Sequence, residues 1–226
     1  FSNSTGKYNS FIGYKAGYSN TGGEKNSFLG YYSGYSNTTG YGNIFIGDSS
    51  GFYNTEGHYN VFAGNEAGVS NTTGYQNIFL GDWAGYANTT GNRNIFIGTG
   101  SGSENTIGIN NVFIGNFAGG LNTTGNLNVM VGRTAGYRNT EGIENTFLGM
   151  GAGLNNTIGN SNVYVGQYAG RNATGSANVF LGNSAGNDET GSNKLYIENS
   201  GNDSTGALIY GEFDKDILRL NADVTI

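Results

Sequence analysis

Few side chains in this sequence are equipped for chemistry. There is a single histidine, His58, and no cysteine, so zinc sites built on Cys and His, Ser-His-Asp triads and Cys-His pairs cannot be assembled within one chain. His58 follows Thr55-Glu56-Gly57 at a variable corner and reads as a surface residue. Asp48, Glu66 and Asp82 come just after recurring glycines, and a row of carboxylates can hold a cation. Their register staggers, however, and Asn65, Thr99 and Asn116 stand at equivalent places. Two carboxylates at a suitable separation can also cleave a glycosidic bond. Helical β enzymes of that kind have long irregular coils that build a cleft, and nothing interrupts the beat here. The sequence therefore predicts no catalytic residues, no metal ligands and no cofactor. Asn37-Thr38-Thr39 and Asn71-Thr72-Thr73 match the glycosylation pattern, but they recur because the repeat recurs.

The remaining residues suited to recognition are aromatic. Eleven of the 16 tyrosines lie before residue 90, and the single tryptophan is Trp83. Exposed aromatics suit contact with sugar rings or protein receptors, which makes Tyr14, Tyr31, Tyr32 and Trp83 candidate receptor contacts. In a competing reading, Tyr18, Tyr35, Phe52 and Tyr86 form a partly buried stacking column of structural origin.

These residues are positioned by a repeat. One unit is Asn43-Ile44-Phe45-Ile46-Gly47, then Ser50-Gly51, then Asn54-Thr55-Glu56-Gly57. The glycine that closes the apolar run, as at Gly47, Gly64, Gly81 and Gly98, recurs at an unchanging interval from Gly13 to Gly166 and arrives one residue early at Gly182. The shortened interval is expected just after Asn172-Ala173-Thr174-Gly175. Asn43, Asn60, Asn77 and Asn94 open successive runs, and a second glycine column and a Thr column keep the same beat. A period this strict signals units stacked on one another.

Each apolar run is short, rich in β-branched and aromatic residues and closed by Gly, which predicts a strand. Glycines at fixed places supply the positive φ that sharp corners need. Each period has room for two short strands and two corners. The predicted fold is an all-β parallel β-solenoid, a β-roll with 17-residue coils over residues 1–186. Residues 187–226 are expected to be a capping or neck β segment with strands at Leu195–Ile197, Leu208–Tyr210 and Ile217–Leu220. At the sheet spacing of roughly 4.8 Å per coil, eleven coils make a rod of about 53 Å. The Asn column is expected to form an amide ladder, each side chain bonded to the next, with the Thr hydroxyls doing the same.

In Ile44-Phe45-Ile46 the aromatic points to one face and the aliphatics to the other. Phe45, Phe62, Phe79, Phe96 and Phe113 are thus either the core column or the column an oligomer shares. Both faces are apolar while a thin coil has one interior, and a bare stripe exceeds what a monomer usually exposes. This predicts a parallel homo-oligomer in register, with one apolar column along its axis.

Composition sets outer limits. Net charge is −6 with a pI near 4.6, which argues against nucleic-acid binding. The charge is uneven: residues 1–186 carry 8 acids and 7 bases, and 187–226 carry 8 acids and 3 bases. No apolar run is long enough for a membrane-spanning helix. The chain starts in mid-repeat and reads as a fragment.

The Asn-x-Phe-[Ile/Leu]-Gly run with its trailing small residue and Gly, over roughly residues 3–186, resembles the head repeats of trimeric autotransporter adhesins. Those heads are left-handed parallel β-rolls with three chains around an axis. The coil here is longer by an Asn-Thr-Thr-Gly corner, and Phe stands where that family has Ala. The chain is also similar to Asn-Thr-Thr-Gly repeat proteins of bacterial surfaces and phage-type tail fibres, in which stretches like Asn193–Asn199 and Leu208–Phe213 precede a trimerisation chaperone domain. The resemblance implies a left-handed coil, a parallel homotrimer, an extracellular location and a structural or adhesive fibre that attaches to a surface glycan or protein receptor. The alternatives are an ice-binding solenoid, suggested by the Thr column, and a glycan-cleaving fibre protein.

Overall fold

The computed structural model describes residues 3–201 and 203–221. Residues 1, 2, 202 and 222–226, which belong to the expected shaft and cap segments, lie outside the described residues. Each apolar run is a three-residue strand, from β1 (Ser10–Ile12) to β11 (Val179–Leu181). Branched and aromatic side chains suit this pleated, half-buried surface. Every strand pairs in parallel with its counterpart one coil on, like opposite like: Phe28 faces Phe45, and Ile44 faces Val61. The chain is a parallel β-solenoid of 17-residue coils.

Two strands per coil were expected, and one forms among the described residues. The rest of each coil is a run of turns, yet its backbone is still paired from coil to coil. Gly34 N donates to Ser50 O at 2.9 Å, and Thr38 N donates to Thr55 O at 3.0 Å. What denies this segment strand geometry is left-handed backbone. It is supplied by glycine as predicted, and also by large residues. In one column Lys15, Tyr32, Ser49, Glu66, Trp83 and Phe117 have φ between 52° and 58°, with Gly100 at 64°. A second column runs through Lys25, Tyr59, Gln76 and Arg93, with φ between 55° and 57°. A non-glycine residue held there costs roughly 1–2 kcal/mol, so the stacking of neighbouring coils must impose it.

The phenylalanine column is the core. Phe45, Phe62, Phe79, Phe96 and Phe113 are fully buried. Their rings stack nearly parallel, with centroids 4.9 Å apart for Phe45–Phe62 and 4.7 Å for Phe62–Phe79. Across the narrow interior each ring meets the second glycine column: a Cβ on Gly51 would lie 2.6 Å from Phe45 Cδ2. Closing glycines are required for a different reason. A Cβ on Gly81, at φ +130°, would lie 2.7 Å from the carbonyl carbon of Gly98 in the next coil.

Both polar columns are wired differently from expectation. Asn43, Asn60, Asn77 and Asn94 do not form an amide-to-amide ladder. Asn43 Oδ1 accepts from the backbone N of Asn60 at 3.0 Å, and Asn43 Nδ2 donates to Gly57 O at 2.7 Å. These side chains tie the entrance of each strand to the corner and to the next coil. The ladder belongs to the other Asn column, in which Asn71 Nδ2 donates to Asn54 Oδ1 and Asn88 Nδ2 to Asn71 Oδ1, both at 2.8 Å. Thr hydroxyls bond to main chain and not to each other, as when Thr38 Oγ1 donates to Thr55 O at 3.0 Å.

The short coil also departs from expectation, because the missing residue lies inside the corner and not after it. Gly175 and Asn178 keep the spacing of Gly159 and Asn162, while Asn156-Thr157-Ile158-Gly159 is matched by Ala173-Thr174-Gly175. Ala173 occupies the ladder position, and the buried Asn156 Oδ1 has no hydrogen-bond partner.

At the C-terminal end β12 (Lys194–Ile197) still pairs in parallel with β11. An antiparallel hairpin, β13 (Ile209–Glu212) and β14 (Ile217–Leu220), then closes the same sheet, which runs without a break from β1 to β14. Tyr196 and Tyr210 continue the buried column. Glu212 fixes the hairpin: it pairs with Lys194 Nζ at 3.0 Å and with Lys215, and it accepts a bond from Tyr210 Oη at 3.0 Å.

Candidate functional site

The outer face of the sheet is the largest exposed apolar feature. With Phe turned inward, the two flanking positions of each strand, aliphatic in all but Ser10, Ser27 and Thr146 from β1 to β11, turn to the outer face, where Ile12, Leu29, Ile44 and Ile46 are exposed and others are half-buried. None of the two positions per coil from Ser10 to Leu181 holds a charged residue. The strip outlasts the change from parallel to antiparallel pairing. Leu195, Gly211 and Leu218 follow one row, and Ile197, Ile209 and Leu220 follow the other. Leu218 and Leu220 are more than half exposed, at 63% and 51%.

Left-handed corners hold the aromatic candidates outside the core, and they fall into separate clusters. Tyr14 stacks on Tyr31 at 5.3 Å, and Tyr32 lies edge-on to both. Beside them Tyr18, Tyr35 and Phe52 form the structural stack, at 5.3 Å and 4.9 Å. Val69 follows Phe52 in this column, so Tyr86 stands apart from the three. The Lys15 ammonium lies over this cluster, 5.4 Å from the Tyr14 and Tyr18 ring centroids, 5.5 Å from Tyr32 and 6.0 Å from Tyr35. Tyr14, and then Tyr32, push its pKa above the usual lysine value. Sequence reasoning did not single out Lys15. Its phase in the repeat, one coil before Tyr32, was the available signal.

Trp83 is not part of that cluster. It lies three coils beyond Tyr32 in the same column, and its indole Nε1 donates to Glu66 Oε2 at 3.0 Å. His58 is stacked between Tyr41 and Tyr75, at 4.8 Å and 5.0 Å, in the other corner column. The carboxylates do not converge. Asp48 accepts from Ser49 Oγ and Asp82 from Asn65 N, and among the described residues no three His, Asp or Glu side chains come together as a metal site. No helix of the described residues is long and apolar enough to cross a membrane.

No protein family, curated protein or solved structure matches the chain.

Proposed function

We propose that this chain is a shaft or head segment of an extracellular fibre, assembled as a parallel homotrimer in register and serving attachment through its exposed corners. The observation that carries this reading is the uncharged, mostly aliphatic strip along the outer face of the sheet from β1 to β14. At about 4.8 Å per coil and one strand in width, the strip covers on the order of 500 Å², near the top of what monomers leave bare. Each aliphatic side chain removed from water contributes up to about 1.5–3 kcal/mol, so repetition over eleven coils makes association strongly favourable. Parallel, in-register packing lets identical rows meet at every level. A stiff rod that repeats its surface in triplicate then binds multivalently to a glycan or protein receptor.

The ice-binding alternative loses support on geometry. The Thr hydroxyl protons are spent on carbonyls, and Glu56, Ile107, Glu141 and Ile158 interrupt the neighbouring rank.

The test is solution mass by light scattering for the wild type and for Ile97→Lys. Three times the 23.7 kDa chain mass is expected for the wild type, with dissociation in the variant. A wild-type chain that stays monomeric at micromolar concentration removes the proposal.

A further inference from the structure

A notch of about 330 Å³ opens between successive coils, lined by Glu66, Trp83, Tyr86, Gly100, Ser103, Glu104 and Phe117. Its walls follow from the repeat. Glu66, Trp83, Gly100 and Phe117 are consecutive members of the left-handed column that begins with Lys15. At Gly100 that column has no side chain. The Phe117 ring lies over the glycine, where a Cβ would come 2.5 Å from Phe117 Cδ1, and forms the wall on one side. Trp83 forms the wall on the other side, its indole held by Glu66. Trp83, Tyr86 and Phe117 are 46%, 41% and 36% exposed, so part of each ring is open to solvent.

The charge of the notch is uncompensated. No lysine or arginine lines it. Glu66 accepts one bond, from Trp83, and the exposed Glu104 carboxylate accepts none among the described residues. Three π faces and two carboxylates are the surroundings that attract an organic cation. A neutral sugar would instead want a balanced set of donors and acceptors; here the Ser103 hydroxyl already donates to Gly120 O, and two of the side-chain acceptors are carboxylates.

The chain contains a precedent for this chemistry. Lys15 is in the same column as Gly100, five coils earlier, and its ammonium lies over Tyr14, Tyr18, Tyr32 and Tyr35. Where the column supplies a lysine, the aromatic corner is filled internally. Where it supplies glycine, the Phe117 ring covers the backbone, no lysine fills the corner, and the notch opens beside Trp83.

We infer that the notch binds a methylated ammonium group. The volume is at the small end for ligand sites and suits a headgroup better than a chain of rings. The inference rests on the reading of the exposed corners as attachment surfaces, and it names the chemistry that one of them takes.

Trp83 is the only tryptophan, so its emission reports on the notch alone. The full chain is titrated with choline, with its neutral isostere 3,3-dimethylbutan-1-ol, and with sodium chloride as the ionic-strength control. A saturable change with choline and none with the isostere is expected. Glu104→Gln, an exposed substitution, should weaken choline at least threefold while leaving the mass in solution unchanged. Phosphocholine and Nε-trimethyllysine run in parallel. Tighter binding of the first points to a headgroup on a glycan or lipid, and of the second to a protein. No saturable response to choline overturns the inference, as does an equal response to the isostere, or a response to chito- or malto-oligosaccharides alone. A failed titration on an intact trimer removes the site and leaves the fibre, whereas a monomer that still binds choline removes the fibre and leaves the site.

Discussion

Asn88 and Asn156 hold the same place in two coils and have different surroundings. Asn88 Nδ2 donates to Asn71 Oδ1 and Asn88 Oδ1 accepts from Asn105 Nδ2. Asn156 donates to Asn139 but faces Ala173, which leaves its own oxygen orphaned. A buried polar atom without a partner costs about 1–3 kcal/mol. Asn88→Ala creates such an atom at Asn71, whereas Asn156→Ala takes the ladder donor from Asn139, which keeps a 3.5 Å bond from Asn145, and at the same time removes the orphaned oxygen. Denaturant melts should therefore show Asn156→Ala to be milder by about 1–2 kcal/mol; equal losses would contradict the ladder. Tyr164 is a second local misfit. Its ring stacks between Phe147 and Phe180, at 4.8 Å and 4.6 Å, but its hydroxyl is buried without a partner. Burial pushes its pKa well up. Tyr164→Phe should be neutral or stabilising by up to about 1–2 kcal/mol, and a clear fall in Tm would show that the hydroxyl is satisfied after all. Which Asn column carries the amide ladder was not legible in the sequence. Both columns are asparagine almost throughout, and only the direction of each side chain separates them.

Strands and turns were unequally legible. The strands announce themselves through branched and aromatic residues closed by glycine, and all eleven lie at the predicted runs. A second strand per coil was an inference from length alone. It failed because three positions beyond the closing glycine of each coil are left-handed, and the two outside the second glycine column hold residue types, among them Lys, Tyr, Trp, Glu and Arg, that carry no sign of it. The closing glycine is different, since its need is visible in both sequence and structure. Gly81→Ala would drive a Cβ into the carbonyl of Gly98, and it should cost at least about 3 kcal/mol by combined clash and left-handed strain. A melt within about 1 kcal/mol of wild type, close to the size seen at ordinary surface sites, would mean the coils can separate there. In the terminal hairpin, bonds from Lys215, Lys194 and Tyr210 lower Glu212 from 4.5 to about 2. A carboxylate depressed on folding adds stability that is complete above its unfolded value and lost as pH falls through the folded one. Melting temperatures between pH 4.5 and about 2 should fall further for wild type than for Glu212→Gln, and parallel curves would rule out this ion pair as the acid-labile contact.

For the molecule as a whole, one sheet carries a packed face and a bare one from end to end. The alternation of Phe with aliphatics made two apolar faces legible, but left open which was enclosed. Ring size settles it: a stack of phenylalanines opposite glycine and alanine fills a coil one ring thick. The continuation of the bare face onto the antiparallel hairpin was not legible, because it depends on the register of Ile209 and Leu220 against Ile197. The notch at Gly100 was missed for a similar reason. Trp83 and Phe117 belong to coils that are not even adjacent, with the coil of Gly100 between them, and only their common column makes them neighbours.

Pairing that repeats the same sequence offset from strand to strand gives the gene an editable length scale. Excising one whole period, such as residues 60–76, would bring Asn77 onto Asn43 and Phe79 onto Phe45, joining partners of the same kind. The shortened product should fold with a similar Tm and be about 4.8 Å shorter, as small-angle scattering would record. An excision one residue shorter or longer at the same place would leave a coil of unequal length, which a corner would have to absorb as it does at Ala173-Thr174-Gly175. Unequal recombination between such periods adjusts the reach of the molecule in fixed increments, and the surface each increment presents is already known to stack.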